Sequence, residues 1–127
     1  MADGDSALDI EALVRQNEDF RREVRTGEHS QIVLMTIPAG EEIGEEVHQG
    51  IDQTLVFEEG EAEAVIEGES CPVRAGQLVL VPAGTRHNFI NSGSGPLRLW
   101  TVYAPPEHPP GTVHHTKAEA DAAEEAH

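Results

Sequence analysis

The sequence predicts an all-β domain, a small barrel or sandwich, with helical segments confined to its two ends. Short runs between Gln31 and Tyr103 alternate apolar and polar residues at period two, the spacing of a strand with one buried face. Turns rich in glycine separate these runs at regular intervals. Helix signals occur only before Thr26 and after Thr116.

From the N-terminus, residues 1–5 read as disordered. Ser6 can cap a helix that carries Asp9 in its first turn. Ile10, Leu13, Val14, Phe20 and Val24 recur at helical spacing, interrupted by Asn17, and predict one helix or two short ones over Ala7–Arg25. Thr26-Gly27 ends it. Gln31–Ile37 is a strand closed by Pro38-Ala39-Gly40. In Gln53–Phe57, Gln53, Leu55 and Phe57 share a face. After the turn at Glu59-Gly60-Glu61, Ala62, Ala64 and Ile66 share another. A turn at Glu67–Ser70, extending to Cys71-Pro72, follows. Leu78–Val81 is apolar on both faces, which predicts a strand buried twice. Past Pro82–Thr85, His87, Phe89 and Asn91 share a face, and Leu97–Tyr103 is the last clear strand. The Pro-rich stretch from Pro105 cannot be a central strand. Thr116-Lys117-Ala118-Glu119 fits a capping box and starts a polar Ala/Glu helix running toward His127.

With 127 residues, the chain fits one domain and one core. It divides into an N-terminal helical arm (1–30), a barrel (31–105) and a Pro-rich tail with a short helix (106–127). It holds 24 acids against 8 Lys and Arg, for a net charge of −16. That surface repels phosphates and anionic membranes, so nucleic acid and membrane partners are not expected. The excess of acid with Lys117 as the one lysine suits a high-salt cytoplasm, where screening is short-ranged, as well as it suits a merely acidic protein. The acidic start lacks the basic-then-apolar order of a signal peptide, which points to the cytoplasm. Cys71 is the one cysteine; its acidic turn context reads as a bystander, dispensable on Cys71→Ser. No Ser-His-Asp order, phosphate loop or dinucleotide glycine pattern is present.

Two spaced motifs carry chemistry. The second runs Gly76, five residues, Pro82, one, Gly84, two, His87, three, Asn91. The first runs Gly40, five residues, Glu46, one, His48, four, Gln53, six, Gly60. Together they resemble the paired motifs of the cupin superfamily over Gln31–Pro105. The second motif matches without a departure. The first keeps the family's spacing but has Glu46 in the place of a histidine and Gln53 in the place of a glutamate. The resemblance implies a double-stranded antiparallel β-barrel, or jelly roll, and inward-pointing His48 and His87.

With that register, Glu46, His48, Gln53 and His87 converge inside the barrel as candidate ligands of a divalent metal: iron, manganese, zinc or nickel. Glu46 is also the candidate proton shuttle. Gln53 supplies only a neutral oxygen, which weakens the site or leaves its charge to Glu46. Leu55, Phe57, Ala64 and Phe89 share faces with these ligands and are the expected substrate pocket, apolar and suited to a small oxygen-bearing molecule. Plainer readings stand beside these. Glu46 belongs to an acid run that is ordinarily solvated, Gln53 can be a barrel hydrogen-bonder, and His108, His114 and His115 are either a lid or exposed tail residues. Neither Arg86 nor Arg98 can be shown to face inward. Three functions remain open: a metal-dependent isomerase, lyase or oxygenase; a binding or sensor module without turnover; and a vestigial barrel without metal. Open sheet edges predict a homodimer, with the N-terminal segment as its arm.

Overall fold

The structure, a computed structural model, describes residues 7–125. The cap expected at Ser6, the expected disorder of residues 1–5 and the last two residues of the tail helix lie outside the described residues. Helix α1 spans Ile10–Gln16, capped by Asp9, whose carboxylate accepts from the Ala12 N–H. The helix stops at Asn17, which adopts an extended conformation, so the helical reading of residues up to Arg25 is corrected here. Asn17 is the stop signal. Its amide donates to the Asp19 carbonyl and to Thr36 Oγ1, and its oxygen accepts from the Asp19 N–H. The chain then enters strand β1, Arg21–Thr26, which pairs antiparallel with β2, Gln31–Ile37. Pairing to β2 overrides the local helical spacing of Phe20 and Val24.

The remaining strands are β3 (Asp52–Glu59), β4 (Glu61–Ile66), β5 (Glu69–Arg74), β6 (Leu78–Val81), β7 (His87–Asn91), β8 (Leu97–Ala104) and the short β9 (Val113–His114). Helix α2, Lys117–Glu125, follows. Its capping box holds in a shifted form: the Glu119 N–H donates to Thr116 Oγ1, while the Glu119 carboxylate accepts from the His115 N–H. The strands form two facing antiparallel sheets, one ordered β6-β3-β8-β2-β1-β9 and the other β5-β4-β7. This is the double-stranded β-barrel that the motifs imply. Its core lies between the sheets and includes Val33, Met35, Leu55, Phe57, Phe89, Leu97 and Leu99.

Two local readings change. Cys71 lies within β5 rather than in a turn, and is exposed there; the turn is the two residues Glu67-Gly68, both at positive φ (51° and 83°). Pro72 is tolerated because β5 is an edge strand. Strand β6 is not buried twice. Val79 and Val81 face inward, but Leu78 and Leu80 are 59% and 57% exposed on the outer face of the large sheet. They head two cross-strand rows, Leu78-Val56-Trp100-Leu34 and Leu80-Thr54-Val102-Ile32, which are uncharged from β6 to β2 and end on Arg22 and Arg25 of β1.

Residues between β2 and β3 form no regular strand, yet β7 holds them in place. Ile43 N–H donates to the Phe89 carbonyl, and Asn91 N–H to the Glu41 carbonyl. Glu46 and His87 exchange both backbone hydrogen bonds, at 2.8 and 3.0 Å.

Candidate metal centre

The Glu46–His87 backbone bridge fixes two side chains from distant parts of the sequence on one side of the barrel interior. His48, two residues beyond Glu46, joins them: its ring centroid is 5.4 Å from that of His87. One ligand atom from each of Glu46, His48 and His87 lies within 4.8 Å of the other two. Glu46 Oε1 is 3.3 Å from His48 Nε2 and 4.0 Å from His87 Nε2. Two imidazoles and one carboxylate at that separation are a donor set for a divalent transition metal.

The nitrogens are oriented as ligands require. His87 Nδ1 lies 2.9 Å from the Thr85 carbonyl oxygen, which can only accept, so the proton is assigned to Nδ1. Nε2 then carries the lone pair, and this atom is buried without a hydrogen-bond partner. His48 Nδ1 likewise faces an oxygen, Glu107 Oε2 at 3.5 Å. A lone pair buried and unpaired beside a carboxylate costs free energy unless something accepts it. The residues present therefore fit a metal ion.

Gln53 is 2% exposed on the inner face of β3, cross-strand from Tyr103, whose ring packs against His48 at 5.6 Å between centroids. Its Nε2 donates to Thr101 Oγ1 at 3.1 Å, and its Oε1 is buried without a partner. Leu55, Phe57, Ala64 and Phe89 are closed into the core, with Phe57 and Phe89 rings 5.6 Å apart. The open space beside the site is a cavity of about 340 Å³ whose walls include Gly44, Val47, His48, Glu107 and Lys117.

Sequence reasoning missed two charged neighbours. Arg21 is 2% exposed; its guanidinium approaches Glu46 Oε2 at 3.8 Å and His114 Nδ1 at 3.3 Å. The local spacing reads as helix there, and nothing in Arg21-Arg22-Glu23-Val24-Arg25 marks which arginine turns inward. Glu107 comes from the Pro-rich tail, where the flanking prolines were the available signal. Of the tail histidines, His108 packs on Tyr103 at 5.2 Å, His114 is half-buried against Arg21, and His115 is exposed and bonded to Asp19. Arg86 and Arg98 pair with carboxylates, Arg86 with Glu45 and Arg98 with Glu18 and Glu59.

These neighbours set the site's electrostatics. Burial works against a charge on His48, but bonds to Glu107 and Glu46 outweigh it and raise its pKa to about 9. Burial pushes the Glu46 carboxyl up, yet His48, Arg21 and His87 together hold it below its usual value. His108 is lowered to about 4 by burial and then by Arg21, so it is neutral near pH 7.

Comparison with known proteins agrees with this architecture. A family model described as a cupin domain matches residues 33–103. The uncharacterized protein YrkC of Bacillus subtilis is 45% identical over 125 residues, 93% of this chain and 67% of that one. A Streptomyces cyaneus protein named polyketide synthase CurC is 32% identical over 89 residues, 70% of this chain and 57% of its own length. The chain thus spans from 57% to 67% of these relatives' lengths. A solved structure from Bacillus halodurans superposes with a TM-score of 0.90 at 41% identity, covering 96% of this chain and 99% of that one. KdgF from Halomonas shares the fold alone, at 20% identity and a TM-score of 0.65 over 68% of this chain and 78% of its own. The matched model, the two-sheet barrel and the paired motifs agree: the chain belongs to the cupin family.

Proposed function

We propose that this cupin holds one divalent transition metal on Glu46, His48 and His87, and uses the site to bind and transform a small oxygen-bearing organic molecule. The observation that carries the reading is the pair of states of His87: Nδ1 held by the Thr85 carbonyl, and Nε2 buried and unpaired toward Glu46. Gln53 adds a neutral oxygen from the barrel wall. A metal bound there would act as a Lewis acid on a carbonyl or enolate oxygen, the chemistry of an isomerase, lyase or oxygenase. The chain's own residues do the rest. Leu55, Phe57, Ala64 and Phe89 keep the floor of the site dry. Glu46, whose Oε2 faces Arg21, offers Oε1 either to a metal or to a substrate proton. The name of the Streptomyces relative supports an oxygen-rich ligand, because polyketides present paired carbonyl and enolate oxygens.

The experiment is metal content per chain after loading with iron, manganese, nickel or zinc and dialysis. Wild type should retain about one ion, and His48→Ala and His87→Ala should retain none. Retention by both variants, or none by wild type with any of the four metals, rejects the reading. Loaded protein screened for oxygen uptake and for turnover of β-dicarbonyl compounds then separates an enzyme from a binding module.

The chain works as a homodimer in this reading. The support is the outer face of the large sheet, where exposed Leu78 and Leu80 continue into Val56 and Val102, an apolar strip flanked by Asp52 and Glu58. It would also bury Leu78 and Leu80, restoring the double burial that the composition of β6 suggests.

A further inference from the structure

The tail after β8 is more ordered than a Pro-rich linker needs to be. Pro105-Pro106-Glu107-His108-Pro109-Pro110 crosses the barrel mouth, and Gln31, fully buried, pins it there. Gln31 Oε1 accepts from the N–H groups of Glu107 and His108, at 3.2 and 3.0 Å. Gln31 Nε2 donates to the His108 carbonyl at 2.6 Å. Beyond it, Gly111 N–H donates to Glu23 Oε1, Glu23 N–H donates to the Thr112 carbonyl, and β9 pairs with β1. The prolines restrict φ and reduce the entropy lost in ordering this strap. The result is that Glu107 Oε2 stands 3.5 Å from His48 Nδ1, on the far side of the ring from Glu46.

We propose that Glu107 is the positioning residue for His48 as a metal ligand, and that the strap exists to deliver it. The inference rests on the metal-site reading above. A carboxylate behind Nδ1 keeps the proton there, so that the proton a metal displaces is the one on Nε2, the atom that faces Glu46, and it makes the imidazole a stronger donor. His87 has the same arrangement with a neutral oxygen, the Thr85 carbonyl. The two histidines thus differ in one respect: His48 is backed by a full charge. That charge matters because the ligand set contains a single carboxylate, Glu46, with Gln53 contributing none. Glu107 supplies the second negative charge one residue further out.

The alternative is an ordinary ion pair that steadies the tail and leaves the metal indifferent. Zinc affinity of the full chain, by competition with a chromophoric chelator, separates the two. Glu107→Ala should weaken zinc binding about 10- to 100-fold. Glu107→Gln, which keeps an acceptor for Nδ1–H but no charge, should lose less. Nitrogen-15 spectra of the zinc-loaded protein supply a readout that tail anchoring would not move. In wild type and Glu107→Gln, His48 should show a protonated, hydrogen-bonded Nδ1, and in Glu107→Ala that signature should vanish while His87 is unchanged. Glu107→Ala binding zinc within twofold of wild type, or weakened binding with an unaltered His48 spectrum, overturns the proposal. If His87→Ala abolishes binding while Glu107→Ala does not, only the role of Glu107 fails. If wild type binds none of zinc, iron, manganese and nickel, both readings fail.

Discussion

Replacing Gln53 with glutamate should move the metal-free and metal-loaded proteins in opposite directions. In the structure Gln53 Nε2 donates to Thr101 Oγ1, and that hydroxyl donates its own proton to the Thr54 carbonyl at 2.8 Å. A carboxylate at 53 would therefore meet an oxygen lone pair where the amide had met an acceptor. Either this contact is lost or Thr101 rotates and strands the Thr54 carbonyl. Leaving a buried polar group unpaired costs roughly 1–3 kcal/mol. At this chain length, about 2 kcal/mol lowers Tm by roughly 5–10 °C. Once a dication is present the sign reverses. An added unit charge about 4 Å from a cation is worth about 4 kcal/mol per unit of cation charge at an effective dielectric of ~20, and much of that is spent on desolvating the carboxylate. A surplus of about 1.4 kcal/mol, one factor of ten in affinity, enlarges the metal-induced rise in Tm by roughly 5 °C at saturating metal. Differential scanning calorimetry of both forms, with and without excess zinc, reads the two shifts. A variant with a wild-type metal-free Tm and a wild-type zinc response would mean that side chain 53 does not face the site.

Three further outcomes follow from other parts of the molecule. Gly60 sits at φ +96°, and a Cβ there would lie 2.7 Å from the Pro96 carbonyl oxygen; Gly60→Ala should destabilise by about 2 kcal/mol or more, read by urea unfolding, and a loss under ~0.5 kcal/mol would refute the contact. Light scattering at about 1 M salt, where the charge repulsion is screened, should show a wild-type dimer and a Leu78→Asp/Leu80→Asp monomer; a wild-type monomer would refute the sheet-face interface. The Asp19–His115 pair, 2.6 Å apart, links the α1–β1 connection to the residue that follows β9. Its bond to Asp19 raises His115, so that contribution is complete below 6.5 and is lost as pH rises through the raised value. The bond to His115 lowers Asp19, so that contribution is complete above 3.8 and is lost as pH falls through the lowered value. Protection of the Phe20 amide, bonded to the His115 carbonyl, should peak between those two limits once corrected for intrinsic exchange, and flatten in Asp19→Asn; a profile with no peak would refute the linkage.

Continuous apolar runs and period-two patterning between glycine-rich turns made most of the barrel legible. Gln31–Ile37 and Leu78–Val81 match strands residue for residue, and His87, Phe89 and Asn91 share the buried face their alternation implies. Motif spacing likewise singled out Glu46, His48 and His87, which an isolated backbone bridge from the β2–β3 connection to β7 brings together. What stayed hidden was tertiary in origin. The strand nature of Arg21–Thr26 comes from pairing with β2, and no local propensity announces it. The approach of Glu107 depends on Gln31, 76 positions away in the chain. The exposure of Leu78 and Leu80 follows from β6 being an edge strand with its outer face uncovered in the single chain, a fact about sheet order rather than composition.

The reciprocal backbone bonds between Glu46 and His87 have an evolutionary consequence. They set the Cα positions of two ligands through peptide groups, which every amino acid but proline supplies in full. Position 46 is thus a socket whose location does not depend on what is plugged into it. A change of donor type at 46 leaves these backbone bonds in place. With the metal site proposed above, metal preference would change by single substitutions within one backbone frame. Glu46→His is such a step, and the same frame would accept its reversal.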